Sequence, residues 1–171
     1  RLLDTGADAR PAQHDLALGQ VLSWQGWFQM QMGRADEALE VLHQSLARFA
    51  RVRDRMHRTL AYAHLGVGQI RTFFDEPALA ITHLTQGLTH AQECGDPWGS
   101  AYATLLLGPL TMPMRQYRQL SLHYQESLAT LRMIGDPLLL VNCLLLGAHT
   151  AIGLGAYDQA EIYLTESQQM S

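Results

Sequence analysis

The chain has 171 residues, 47% of them hydrophobic, and its 12 basic and 16 acidic side chains give a net charge of -4. That length and apolar content suffice for one domain or a short repeat array with a continuous core. The mild acidity leaves no field that would hold a phosphate backbone, so nucleic acid is excluded as an expected direct partner. No stretch approaches the roughly 20 uninterrupted apolar residues of a membrane span, and Arg1-Leu2-Leu3-Asp4 has no signal-peptide character, which makes the cytoplasm the expected location and a membrane an unexpected partner.

Taken in chain order, residues 1–13 read as a linker or the end of a preceding repeat, and helical periodicity then places helices over 14–32, 36–52, 55–73, 77–93, 97–112, 117–133, 137–153 and 157–170. The pairs repeat. Ala38, Leu42 and Ser45 recur as Ala80, Leu84 and Gly87, as Leu120, Tyr124 and Ser127, and as Ala160, Leu164 and Ser167, in steps of 42, 40 and 40 residues. The i, i+4, i+7 spacing puts a small, a large and a small side chain on one helix stripe, against which a second helix can approach closely. Twelve residues before each set, Gly26, Gly68, Gly108 and Ala148 mark the expected crossing point on the partner helix.

Asp54, Asp96-Pro97 and Asp136-Pro137 stand between units, where Asp suits an N-cap and Pro the first helical position. Gly95 and Gly135 just before them suit a left-handed helix end. The carboxylates Asp36, Glu37, Asp75, Glu76 and Asp158 are expected to cap the second helices and complement their dipoles. The array divides into repeats 14–53, 54–95, 96–135 and 136–171, and since a lone hairpin cannot bury both faces, neighbours must stack on one another. Leu42, Leu84 and Leu164 are the expected costliest truncations. A start at Arg1 and a helical pattern still running at Ser171 suggest a segment of a longer protein.

The Gly on the first helix and the small, large, small set on the second resemble the tetratricopeptide repeat, over about residues 14–170. The resemblance implies an all-α fold, an α-solenoid of about four antiparallel helix hairpins wound as a right-handed superhelix. Units of 40 to 42 residues are similar to those in the sensor regions of bacterial multidomain regulators, including the maltose activator and antibiotic regulatory protein classes. There the repeats accompany a nucleotide-binding switch and a DNA-binding domain, and hold an inducer, a partner protein or another subunit. Where the family places an aromatic residue three positions after the Gly, this chain has Gln29, Arg71, Thr111 and Ala151.

In such a solenoid the first helix of each unit lines the concave surface. By repeat register the candidate binding residues are Gln20, Ser23, Trp27, Met30, Tyr62, Gln69, Phe73, Tyr102, Met112, Asn142 and His149. Two readings are open for Trp27, Tyr62 and Tyr102: anchors for a ligand, or rings that fill space between helices. Pro109 and Pro113 predict a kink or early stop in the fifth helix; it either opens a pocket or is a local irregularity. Arg48, Arg51, Arg53, Arg55 and Arg58 form the one basic cluster, read as a solvated face or as a contact for an acidic partner.

Cys94 and Cys143 are isolated and expected to be buried thiols. His83 and His90 share a face seven residues apart but have no carboxylate at ligand spacing, so no metal is expected. No phosphate loop, zinc-protease motif or nucleophile elbow is present. The expectation is a non-catalytic module without cofactors, a scaffold or sensor that binds a protein or peptide. A small-molecule effector in the groove and homo-oligomerisation through exposed end hairpins are the alternatives.

Overall fold

The computed structural model describes residues 9–52, 58–111 and 117–170. Among them are eight helices and no strand: α1 (Ala9–Gln31), α2 (Ala35–Phe49), α3 (Arg58–Phe73), α4 (Pro77–Glu93), α5 (Pro97–Thr111), α6 (Tyr117–Ile134), α7 (Pro137–Gly153) and α8 (Tyr157–Gln169). The chain forms two compact units, Arg1–Ser100 and Ala101–Ser171, and α5 runs through the boundary.

In the first unit α1 packs on α2 and α3, and α3 on α2 and α4. The crossing points are set by missing side chains. A Cβ at Gly26 would lie 2.5 Å from Leu42 Cγ, and one at Gly68 2.6 Å from Leu84 Cγ, so both leucines sit in the space that glycine leaves. Leu42, Leu84, Ala38 and Ala80 are fully buried. Ser45 fits the stripe because its hydroxyl donates to Gly19 O at 2.7 Å, which satisfies a buried polar group.

In the second unit α7 packs on both α6 and α8. Here the register differs from expectation twice. The side chain that fills the space at Gly108 is His123, one residue before Tyr124, and its Nε2 donates to Thr104 O at 3.1 Å. Tyr124 turns towards α7 instead, close to Gly147, with the Cys143 thiol on its carbonyl. On α8 the buried large residue is Tyr163, seated against Gly147, and Leu164 is 39% exposed. The expected pair Ala148 and Leu164 is thus displaced by one residue to Gly147 and Tyr163, because glycine admits a ring where the alanine methyl does not. Arg132 of α6 grips Glu166 of α8 with both Nε and Nη2, the shortest contact 2.7 Å.

The turns share one chemistry. Gly33, Gly95 and Gly155 adopt positive φ, and so does Asp75 at 57°. At each, the next amide reaches back to close the helix, as in Arg34 N to Gln29 O and Glu76 N to Arg71 O. Asp75 therefore ends α3 and does not cap α4. Neither α2, α4 nor α8 has a side-chain N-cap; Asp36, Glu37 and Asp158 sit within first turns, Glu37 pairing with Arg34 at 2.7 Å, and Glu76 pairs with Arg71. Asp136 does cap α7, accepting from Leu139 N at 2.9 Å. Asp54 lies outside the described residues. α5 carries Pro109 in its last turn and continues to Thr111; Pro113 lies outside the described residues. Among the described residues no helix is long and apolar enough to cross a membrane.

Candidate binding site

The first helices of the first unit bring four rings together. α1 supplies Trp24 and Trp27, α3 supplies Tyr62, and α5 supplies Trp98 as its second residue. α1 and α3 approach closely because α3 presents Gly66 and buried Ala63 between its larger residues; a Cβ at Gly66 would stand 3.7 Å from Trp27. Trp98 is placed by the turn before it, where Gly95 reverses the chain, Asp96 is buried and Pro97 opens the helix.

Tyr62 is the hub. Its ring meets Trp24 edge-on at 5.4 Å and 72°, Trp98 edge-on at 5.5 Å and 76°, and Trp27 at 5.9 Å. Trp27 meets Trp98 at 5.9 Å and 68°. The four rings line a cavity of about 290 Å³. Trp27 and Tyr62 are buried, but Trp24 is 42% exposed, and Phe28 next to it at 6.2 Å is more exposed still. The box is therefore open to solvent beside Trp24.

Behind Tyr62 lies Asp96, only 3% exposed. Burial, the Asp96 charge and the hydrogen bond from Tyr62 to the Asp96 carboxylate all raise the pKa of the phenol, so it stays protonated and donates. Arg58 also faces the carboxylate, its Nε 3.6 Å from Oδ2, beyond hydrogen-bond reach. Oδ2 is buried without a hydrogen-bond partner among the described residues. Gly99 leaves room for it, since a Cβ there would approach Oδ2 to 2.7 Å.

Of the residues expected on the binding stripe, Trp27 and Tyr62 meet in this box. Ser23 is buried and donates to Thr59 O at 2.7 Å, and Met30 is buried in the core. Gln20 and Gln69 are partly covered, and Phe73 is well exposed. Tyr102, buried, and Asn142 and His149, exposed, belong to the unit Ala101–Ser171; Met112 lies outside the described residues. Trp24 and Trp98 escaped the sequence reading, although the chain's three tryptophans all fall on first helices.

A second cluster lies where α2, α3 and α4 meet. His64 Nδ1 is 3.1 Å from His83 Nδ1, and the His64 ring stacks on His90 at 5.7 Å. His43 lies 6.3 Å from His83. Burial, reinforced by His83 and His90, pushes His64 down to about 3; burial followed by His43 and Arg71 lowers His83, and burial followed by Arg71 lowers His43. Among the described residues no group of three or more His, Cys, Asp or Glu is arranged to hold a metal. The arginine cluster is partly internal: Arg48 and Arg51 converge on Asp15, and Arg58 faces Asp96, while Arg53 and Arg55 lie outside the described residues. Cys143 is fully buried, but Cys94 is only partly so, at the C-terminal end of α4, contrary to the expectation of two buried thiols.

No family model and no curated relative matches the chain. Solved structures do. A Rap protein complexed with Competence and Sporulation Factor superposes with a TM-score of 0.72 at 12% identity, over 87% of this chain and 42% of the other. BtubC from P. vanneervenii gives a TM-score of 0.72 at 16% identity, over 90% and 63%. The fold is a tetratricopeptide-like helical repeat. The chain spans less than two thirds of the length of either structure.

Proposed function

We propose that the chain is a protein- or peptide-recognition module whose binding site centres on the aromatic box of α1, α3 and α5. The observation that carries this reading is the convergence of Trp24, Trp27, Tyr62 and Trp98, from three successive first helices, on one cavity with an exposed mouth. Rigid rings in a groove anchor a partner with little loss of side-chain entropy. The Rap structure, a complex with Competence and Sporulation Factor, is support of the same kind at the level of fold. Within this reading the module has no chemistry of its own and serves a larger bacterial signalling or transcription regulator in the cytoplasm.

Selection of peptides from a random library against the intact chain, followed by amide hydrogen exchange of the complexes, tests it. Selected peptides should protect α1 and α3 and bind at least about 10-fold more weakly to Trp24→Ala, the loss expected for an aromatic anchor. Protection confined to other helices would sink the reading. The small cavity, at the lower end of the sizes that ligands occupy, favours one alternative, a small-molecule effector in the same box; that reading predicts a thermal shift across a metabolite panel that disappears in Tyr62→Ala.

A further inference from the structure

We propose that the group the box accepts is a cation, the ammonium or guanidinium of a Lys or Arg side chain in the partner peptide; this rests on the peptide-recognition reading above. Three observations point to it. The first is ring orientation. Aromatic faces are negative and edges positive, and Tyr62 meets Trp24 and Trp98 at 72° and 76°, as Trp27 meets Trp98 at 68°. A ring whose face turns to this small space would attract an ammonium or guanidinium group held within about 6 Å of its centroid.

The second is charge. The Asp96 carboxylate is buried, accepts from the hydroxyl of Tyr62, and keeps one oxygen without a hydrogen-bond partner among the described residues. A negative charge at the far end of the hub ring lowers the potential inside the box, and burial weakens solvent screening of it. Arg58, the cation beside Asp96, is mostly exposed and stands at 3.6 Å, so it offsets the carboxylate only in part. The third is size. About 290 Å³ open to solvent beside Trp24, with exposed Phe28 next to it at the mouth, suits one long side chain whose main chain continues past the opening. An apolar stem lies along the rings while the charged head meets their faces.

The chain's three tryptophans all line the box, so its intrinsic fluorescence reports on that cavity. The experiment titrates the intact chain with acetyl-Gly-Ser-Gly-X-Gly-Ser-Gly-amide, where X is Lys, Arg or their neutral counterparts norleucine and citrulline, up to millimolar concentration. The proposal expects saturable fluorescence changes for Lys or Arg at least about 10-fold tighter than for the neutral peptides. It also expects the cation preference to shrink in Asp96→Asn, to grow in Arg58→Ala, and the binding to fall at least about 10-fold in Trp24→Ala, a partly exposed position at the rim of the box. Equal affinity for norleucine and Lys, and for citrulline and Arg, would overturn the cation and leave the peptide site standing. No saturable response to any peptide would overturn both.

Discussion

At Gly26 and Gly68 the absent methyl group is the structural feature. An added Cβ would lie 2.5 Å from the branch carbon of Leu42 or 2.6 Å from that of Leu84, well inside ordinary contact, and both leucines are fully buried. Gly26→Ala and Gly68→Ala are each expected to cost about 1–3 kcal/mol, as overpacked cores do. Leu42→Ala should cost about 3–5 kcal/mol through the cavity it leaves. Leu164→Ala should cost less than about 1 kcal/mol, because its side chain already meets water. Urea unfolding midpoints of the four variants check the ranking. A fall for Leu164→Ala equal to that for Leu42→Ala would show the repeat register, not the observed packing, to be right on α8. The two thiols divide the same way. Burial pushes Cys143 up to about 12, so near pH 8 almost none of it is thiolate, the reactive form. A disulfide reagent at that pH should label Cys94 rapidly and spare Cys143 until the chain is unfolded.

At the scale of helices, local chemistry fixed much of the answer in advance. The bounds 77–93 and 137–153 read from sequence coincide with α4 and α7, since Pro77 and Pro137 pin the first helical residue and no tertiary contact competes with that constraint. The bound at 52 was too long by three residues because α2 stops at Phe49 without a Gly to mark the end. The box was half legible. Repeat register compares equivalent positions, whereas the box is built from non-equivalent ones: Trp24 stands where the next unit has Gly66, and Trp98 where the previous unit has Arg58. The histidine cluster was hidden for a related reason, its members coming from three helices. It makes a prediction of its own. In the unfolded chain these imidazoles take a proton near pH 6.5, while in the fold His64 stays neutral down to about 3. The unfolded state therefore binds more protons between those values, and stability, complete above pH 6.5, falls as pH drops through that window. The loss should be on the order of 3 kcal/mol by pH 4, and His64→Gln should flatten it; a midpoint for the parent chain that stays level from pH 7 to 4 would refute the assignment.

For the molecule as a whole, TM-scores of 0.72 at 12% and 16% identity show how little of the fold depends on particular residues. In this chain a small residue stands opposite a large one at Gly26, Gly68 and Gly147, in the last case with both partners, Gly147 and Tyr163, one position off the repeat register. The proposed recognition has no such redundancy, because it would rest on four rings and one carboxylate, all of them within Arg1–Ser100. Compact units of this kind tend to open and close as cooperative blocks, and stacked hairpins draw their stability mainly from immediate neighbours. A fragment ending at Thr111 keeps α1 to α5 entire and with them every wall of the box. Its tryptophan emission maximum and near-ultraviolet dichroism should match those of the full chain, since the four lining rings all lie before residue 111. Emission shifted to the wavelength of the urea-unfolded protein would mean instead that the box depends on residues after 111, and the binding site would then have to be sought across a longer stretch of the repeat.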